Sequence, residues 1–304
     1  MMINFEPLQL SQRDEYNQVL FRDRERGCEY SFANLYLWGR QRAAVLGNHF
    51  VLFSQFNRRT VYPFPVGTGD VKPVLDAVIA DARERGIPCR ITGLNEAECR
   101  LIAELYPDQF RIHCDRDFYD YVYDIHDLAD LKGRKFQKKR NHLNKFRSLY
   151  PNAVVTPITP ELLPRVMEMA NQWYEDKLRQ DPTGDFHMER SALKKAFANL
   201  EALGMESLVL MDGEEVLAFT LGSPLSEDTF DIHFEKARED AEGAYPAINN
   251  EFAKYLRRKY PGLQYLNRED DMGLEGLRKA KLSYNPHHLT EKCWACLLED
   301  GYDY

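Results

Sequence analysis

The sequence predicts an α+β chain made of two successive halves, each a mixed, mostly antiparallel sheet flanked by helices. Three observations lead there. Short alternating apolar runs bounded by Gly, Asn and Asp turns recur along the whole chain. Between them lie helical stretches whose apolar residues repeat at i, i+3, i+4 and i+7. The order strand, two helices, three antiparallel strands, helix, strand, helix, strand occurs once in each half, without visible residue-level similarity between the halves.

In the first half, Ile3 to Leu10 is a short apolar segment, and helices are expected at Ser11 to Arg26 and Ser31 to Trp38. Ala43 to Leu46 and Phe50 to Phe56 form a hairpin around Gly47-Asn48, a pair that tolerates positive φ. Val61 to Val66 reads as a third strand that Pro63 and Pro65 confine to an edge or an irregular path. Asp70 to Arg85 is a helix with Val71, Val74, Leu75 and Val78 on one face and Gly86 as its stop. Cys89 to Thr92, Glu96 to Leu105 and Phe110 to Cys114 give strand, helix and strand, and the aromatic run from Phe118 to Ile125 a closing strand.

The second half begins with the strand Ala153 to Ile158, after which Thr159-Pro160 caps and starts a helix. Glu189 to Leu203 is another helix, stopped by Gly204. Strands follow at Ser207 to Met211, Val216 to Gly222 and Thr229 to Glu235, with Asp212-Gly213 as a hairpin turn. Ile248, Phe252, Tyr255 and Leu256 line one helix face. Gln264 to Asn267 is a strand, Leu274 to Leu282 a helix and His288 to Leu298 the closing strand. The expected division is 1–127 and 151–304, with a linker helix at 128–150.

Composition removes several classes. The 304 residues are 44% apolar and 29% charged, too apolar for disorder. No apolar run is long enough for a membrane span, and the first residues lack the basic-then-apolar order of a secretory signal. Six scattered cysteines do not read as a disulfide framework, so a cytoplasmic chain with reduced thiols is expected.

The net charge of −8 argues against an anionic partner, but it is unevenly distributed. Lys132 to Arg147 holds eight Lys and Arg and no acid, which leaves −16 on the remainder. Phe136, Leu143, Phe146 and Tyr150 fall at i, i+7, i+10 and i+14, one face of a helix docked on the core. The other face is a cationic stripe, either the footprint of a phosphate-bearing partner such as RNA or a solvated face paired with the acidic remainder.

GRKFQKKRNHLNKF (133–146), followed far downstream by NREDDMGLEGLRKAKLSYNP (267–286), resembles the C-terminal catalytic domain family of phosphatidylglycerol lysyltransferases. The resemblance spans about residues 20 to 300. It implies two tandem GNAT (acyl-CoA N-acyltransferase)-like domains, related to the aminoacyl-tRNA-dependent transferases that build peptidoglycan cross-bridges. The element order above is itself similar to the GNAT order. Characterised family members join this domain to a multi-helix membrane region. No such apolar runs occur in this sequence, so the acceptor is left open between small molecule, lipid and peptide.

Acyl transfer needs a deprotonated acceptor, a stabilised oxyanion and a protonated leaving group. By the resemblance, Thr229 to Lys236 is the splayed strand of the fold, with Glu235 as a base by position or a strand carboxylate neighbouring a lysine. Lys281 sits in the Gly-Leu-x-x-Leu-x-x-x-Lys context that lies at the donor or transition-state site in related transferases. Leu274, Leu277, Lys281 and Tyr284 share one face, so Lys281 must snorkel or meet an anion, with Glu269, Asp270 or Asp271 as structural partners. Tyr284 is a candidate acid for the leaving group. Lys135, Lys138, Lys139, Arg140, Asn141, Lys145, Arg268 and Arg278 are candidates for donor phosphate contact.

Acyl-CoA enzymes of the fold use an Arg/Gln-x-x-Gly-x-Gly/Ala turn for pyrophosphate. Aligned on Gly243, this sequence puts Asp240 at the basic position and Tyr245 at the last small one, among Glu239 and Glu242. The motif fails, although Gly243 still precedes a helix. Cys293 and Cys296 lie i, i+3 on a strand and face oppositely, as adjacent His287 and His288 do, so no metal site is expected. Gly67-Thr-Gly69 lacks a third glycine for a dinucleotide loop.

The leading expectation is therefore an acyl- or aminoacyltransferase without a permanent cofactor, using aminoacyl-tRNA or another phosphate-rich donor in its C-terminal half. The alternatives are an acyl-CoA-dependent N-acyltransferase and a non-catalytic RNA or phospho-ligand binding module.

Overall fold

A computed structural model describes residues 2–22, 26–38, 41–56, 59–183 and 186–298. It divides into two units. One comprises residues up to Asp120, Asp270–Glu275 and the segment from Leu289; the other comprises Tyr121–Glu269 and Gly276–His288.

In the first unit, β1 (Glu6–Pro7), α1 (Arg13–Leu20) and α2 (Phe32–Leu37) precede a hairpin, β2 (Arg42–Leu46) and β3 (His49–Phe56). The helix expected to reach Arg26 ends at Leu20, and residues 23–25 lie outside the described ones. Ser31 caps α2 by accepting the Asn34 N–H. Next come β4 (Arg59–Pro63), β5 (Val66–Gly67), α3 (Lys72–Arg85), β6 (Arg90–Leu94), α4 (Glu96–Leu105) and β7 (Phe110–Cys114). Gly86 stops α3 with φ 65, which a Cβ would disfavour. Leu75, Val78, Ile91 and Ile102 anchor the core. Of the two expectations for Val61 to Val66 the irregular path holds, since the segment breaks into β4 and β5, and β4 is not at an edge: it pairs with β3 and, in parallel, with β6. Pro63 is accommodated because it is the last residue of β4.

The second unit runs β8 (Asp120–Asp124), α5 (Ile125–Asp130), α6 (Gln137–Leu149), β9 (Val154–Thr156), α7 (Leu163–Gln180) and α8 (His187–Ala198). It continues with β10 (Glu206–Asp212), β11 (Glu215–Pro224), β12 (Thr229–Ala237), α9 (Ala244–Lys259), β13 (Tyr265–Asn267) and α10 (Glu275–Leu282). The chain closes with β14 (His288–Thr290) and β15 (Cys293–Leu297). α7 starts three residues later than expected, with Pro164 in its first turn, because 159–162 form a turn instead. Among the described residues no helix is long and apolar enough to cross a membrane.

The two sheets have the orders β1-β2-β3-β4-β6-β15-β7, with β5 on β3, and β14-β8-β13-β12-β11-β10-β9. Two strands are not where the chain order puts them. The Tyr121–Tyr123 strand joins the second sheet beside β13. The closing segment splits in two, and β15 inserts between β6 and β7 of the first sheet. Alternation identifies β15 as a strand, with Cys293, Ala295 and Leu297 buried, but pairing partners come from distant sequence. That insertion places Cys293 opposite Cys114, and the two form a disulfide, so these thiols are not reduced as expected.

β12 pairs with β11 from Phe230 to Ala237, but with β13 only over Thr229–Asp231. Among the described residues β12 pairs with no strand on that side from Ile232 onward, and the chain leaves β13 through Arg268 and Glu269, the latter at φ 58. The two tandem GNAT-like sheets flanked by helices are thus present, with the splay in the second.

Helix α6 buries Phe136, Leu143 and Phe146, as its periodicity predicts. It rests on the start of α9, where a Cβ on Gly243 would lie 2.7 Å from the His142 carbonyl oxygen and 2.9 Å from Phe146 Cβ. Gly243 also has φ 83. Gly243→Ala should therefore cost about 1–3 kcal/mol in urea unfolding, whereas Gly262→Ala, with open space around it, should be nearly neutral. Equal stability of the two variants would refute this account of the α6–α9 contact.

Candidate active site

Four elements of the second unit converge at the splay. Glu235 projects from β12, and its carboxylate accepts from Arg268 Nη2 at 2.7 Å and from Asn249 Nδ2 at 3.0 Å. The Glu235 and Arg268 side chains are 10% and 15% exposed, so this ion pair is largely desolvated. The guanidinium lies over two rings, 4.9 Å from the Tyr284 centroid and 5.6 Å from that of Tyr123. Its Nη1 is buried without a hydrogen-bond partner among the described residues. Other buried side-chain atoms share that property, among them the Tyr174 hydroxyl, but this donor lies beside a carboxylate and a phenol and is available to an acceptor atom.

Lys139 reaches the same cluster from α6. Its ammonium sits 3.5 Å from the Tyr284 ring centroid and donates to Ser283 Oγ at 2.6 Å. Burial, and then the Arg268 charge, bring the Lys139 amine down to about 8. Burial raises the Tyr284 hydroxyl to about 12, although Arg268 opposes the shift. Tyr284 therefore remains a proton donor at neutral pH.

The structure brings Glu235, Arg268, Tyr284 and Lys139 together and distributes the other sequence candidates differently. Lys281 is 9% exposed and donates to the carbonyl oxygens of Arg268 and Glu269 at 2.5 and 3.0 Å. It thereby fixes the turn from which Arg268 projects. Leu274 is 55% exposed, outside the expected apolar face, because α10 begins after it. Arg278 is half-buried on α10.

Within the basic block, Lys132 pairs with Asp130, Lys135 with Asp127 and Lys145 with Glu242. Arg140 donates to the Leu131 and Gly133 carbonyls and to Gln137, and Asn141 accepts from Gln137. Arg134, Lys138 and Arg147 are exposed and make no ion pair among the described residues. Half of the stripe is thus neutralised or structural.

The turn before α9 does not offer a phosphate cradle. Arg238 pairs with Asp240 and Glu215, Glu239 with Lys177, and α6 packs against Gly243. Reading the sequence missed Asn249, although a polar residue three before Phe252 and seven before Leu256 on an apolar face was its signal. It also missed the Lys139–Ser283 contact, which no local pattern encodes. His287 and His288 do not face apart as expected: their Nδ1 atoms are 2.9 Å from each other, because His287 precedes the strand.

The model of the family described as "Phosphatidylglycerol lysyltransferase, C-terminal" matches residues 22–296. The chain belongs to that family. A solved conserved protein of unknown function from Bacteroides thetaiotaomicron is 38% identical, with TM-score 0.91, over 97% of this chain and all of that one. The structure of L-PGS from Bacillus licheniformis is 17% identical, with TM-score 0.68, over 96% and 93% of the two chains, and shares the fold. A tandem GNAT protein from the clavulanic acid biosynthesis pathway gives 10% identity and TM-score 0.51 over 99% of each chain. An uncharacterised protein of Mycoplasmoides gallisepticum is 26% identical over 57% of this chain, and the matched region spans about half (54%) of that relative.

The cluster predicts one lysine with an unusual titration. Competitive acylation of the folded chain should find Lys139 reacting with a midpoint near 8, because the neutral amine is the nucleophile and forms above that pH. Arg268→Gln should move the midpoint upward by removing a neighbouring positive charge. A Lys139 midpoint in the ordinary lysine range in the unaltered chain would contradict the geometry.

Proposed function

We propose that this chain is an aminoacyltransferase whose second unit moves an acyl group from aminoacyl-tRNA to an amine or hydroxyl. The observation that carries this reading is the unspent Arg268 Nη1 donor beside a carboxylate and a protonated phenol. That trio matches the three needs of acyl transfer. Glu235, held as a carboxylate acceptor by Arg268 and Asn249, takes the proton of the attacking acceptor. Arg268 Nη1 donates to the ester oxygen as it becomes an oxyanion. Tyr284 protonates the ribose oxygen as the acyl C–O bond breaks, so that it leaves as the hydroxyl. Lys139 holds the terminal phosphate of the donor and joins the cluster to the cationic face of α6. Lys281 acts as a positioning residue for Arg268.

Membership of the family supports an aminoacyl-tRNA donor. The exposed Arg134, Lys138 and Arg147 suit the backbone of a folded RNA. A charged-tRNA donor also suits the cytoplasm as the place of action. Acyl-CoA is the weaker donor, because the turn that would bind its pyrophosphate is acidic and obstructed by α6. A small molecule, a lipid or a peptide can serve as acceptor.

Reversing Arg134, Lys138 and Arg147 to Glu should weaken tRNA binding and flatten its log–log salt slope by about 2–3, at ~0.7–0.9 per phosphate contact. Unfolding midpoints should not change, since these side chains are exposed. An unaltered slope would remove α6 as the donor surface.

A further inference from the structure

We propose that Asp231, His233 and Glu269 form a zinc site in the second unit. Asp231 and His233 lie two residues apart on β12, where the register against β11 shifts at Leu221/Gly222 and His233 bulges between the paired Ile232 and Phe234. His233 Nδ1 lies 3.4 Å from Asp231 Oδ2 and 3.5 Å from Glu269 Oε1, and one ligand atom from each residue falls within 4.8 Å of the others. Zinc bonds nitrogen and oxygen at about 2.0–2.2 Å, which makes the edge of a tetrahedron about 3.4 Å. Octahedral ions at similar bond lengths need edges of about 3.0 Å. The two separations from His233 Nδ1 lie near the tetrahedral edge, and one nitrogen with two carboxylates is a donor set that zinc accepts.

The surroundings fix these ligands. The other ring nitrogen, His233 Nε2, is 2.8 Å from Ser223 Oγ. With Nδ1 on the metal, Nε2–H donates to that hydroxyl and sets the ring, the usual outer support of a metal-bound histidine. Glu269 is held at φ 58 by its own N–H donating to Asn267 Oδ1 at 2.7 Å and by Lys281 donating to its carbonyl at 3.0 Å. The Asp231 and His233 side chains are fully buried, and that of Glu269 is 25% exposed. Three protein ligands with one partly exposed leave a fourth position for water or another small oxygen ligand. These residues were not singled out as a site in the sequence, because the third member lies on another strand's exit turn.

The test uses the full chain, freed of metal by chelation, then titrated with zinc chloride while zinc content and thermal unfolding are followed. About one zinc per chain and a raised Tm are expected. Glu269→Gln and His233→Ala should bind roughly tenfold more weakly or worse, and His287→Ala should bind as the unaltered chain does. Glu269→Gln is the deciding variant, because its side chain is partly exposed and its folding is checked by circular dichroism. No zinc bound, full binding in Glu269→Gln, or loss of binding in His287→Ala would each overturn the assignment. The last would place an adventitious ion on the exposed His287–His288 pair. Neither donor nor acceptor is present in these measurements, so their outcome is independent of the transferase reading.

Discussion

The Arg268–Glu235 ion pair spans the gap where β12 and β13 cease to pair. Two strands that part inside a sheet expose backbone and leave a cleft that side chains must hold open. Here the bridge is charged and largely desolvated, which is expensive unless every group is satisfied. Glu235 meets that condition through Arg268 and Asn249. Arg268 meets it in part, through Glu235 and the rings of Tyr123 and Tyr284, and keeps Nη1 in reserve. Removing either partner would leave a buried charge alone, so the pair holds the cleft and equips it at once.

The rest of the site follows from what places Arg268. Lys281 pins the carbonyls of the turn, and the main chain there takes a positive φ at Glu269 that a side-chain-bearing residue adopts only under constraint. Consecutive side chains of that turn serve two neighbouring clusters, Arg268 toward Glu235 and Glu269 toward His233. The lysine that the sequence places at a reacting centre instead holds the turn that carries Arg268. Helix α6 closes the other side, with Gly243 allowing its approach to α9 and Lys139 extending into the aromatic cluster.

Much of the fold was legible because its signals are local. Ser31 begins a helix, Gly86 stops one, and Gly47 and Gly213 turn hairpins. The apolar face of α6 was equally plain. The sheet to which a strand belongs was not, since Tyr121–Tyr123 and Cys293–Leu297 read as strands but pair across long stretches of chain. The site shows the same division. Glu235, Arg268, Tyr284 and Lys139 were all named as candidates from type and context, yet their meeting depends on four separate elements. The strength of the basic stripe was overstated because Asp127, Asp130 and Glu242, all outside the block, neutralise part of it.

The central claim is that the Glu235–Arg268–Tyr284 cluster performs the transfer rather than only holding the splay. The most direct measurement is single-turnover release of radiolabelled amino acid from a mixed aminoacyl-tRNA pool in the presence of cell-extract acceptors. It compares the unaltered chain with Glu235→Gln, which keeps the size and one acceptor oxygen of the carboxylate. A general base typically contributes about 10²–10⁴-fold, so a loss in that range with unchanged tRNA affinity is the predicted result. Transfer at the full rate by the Gln variant would contradict the account.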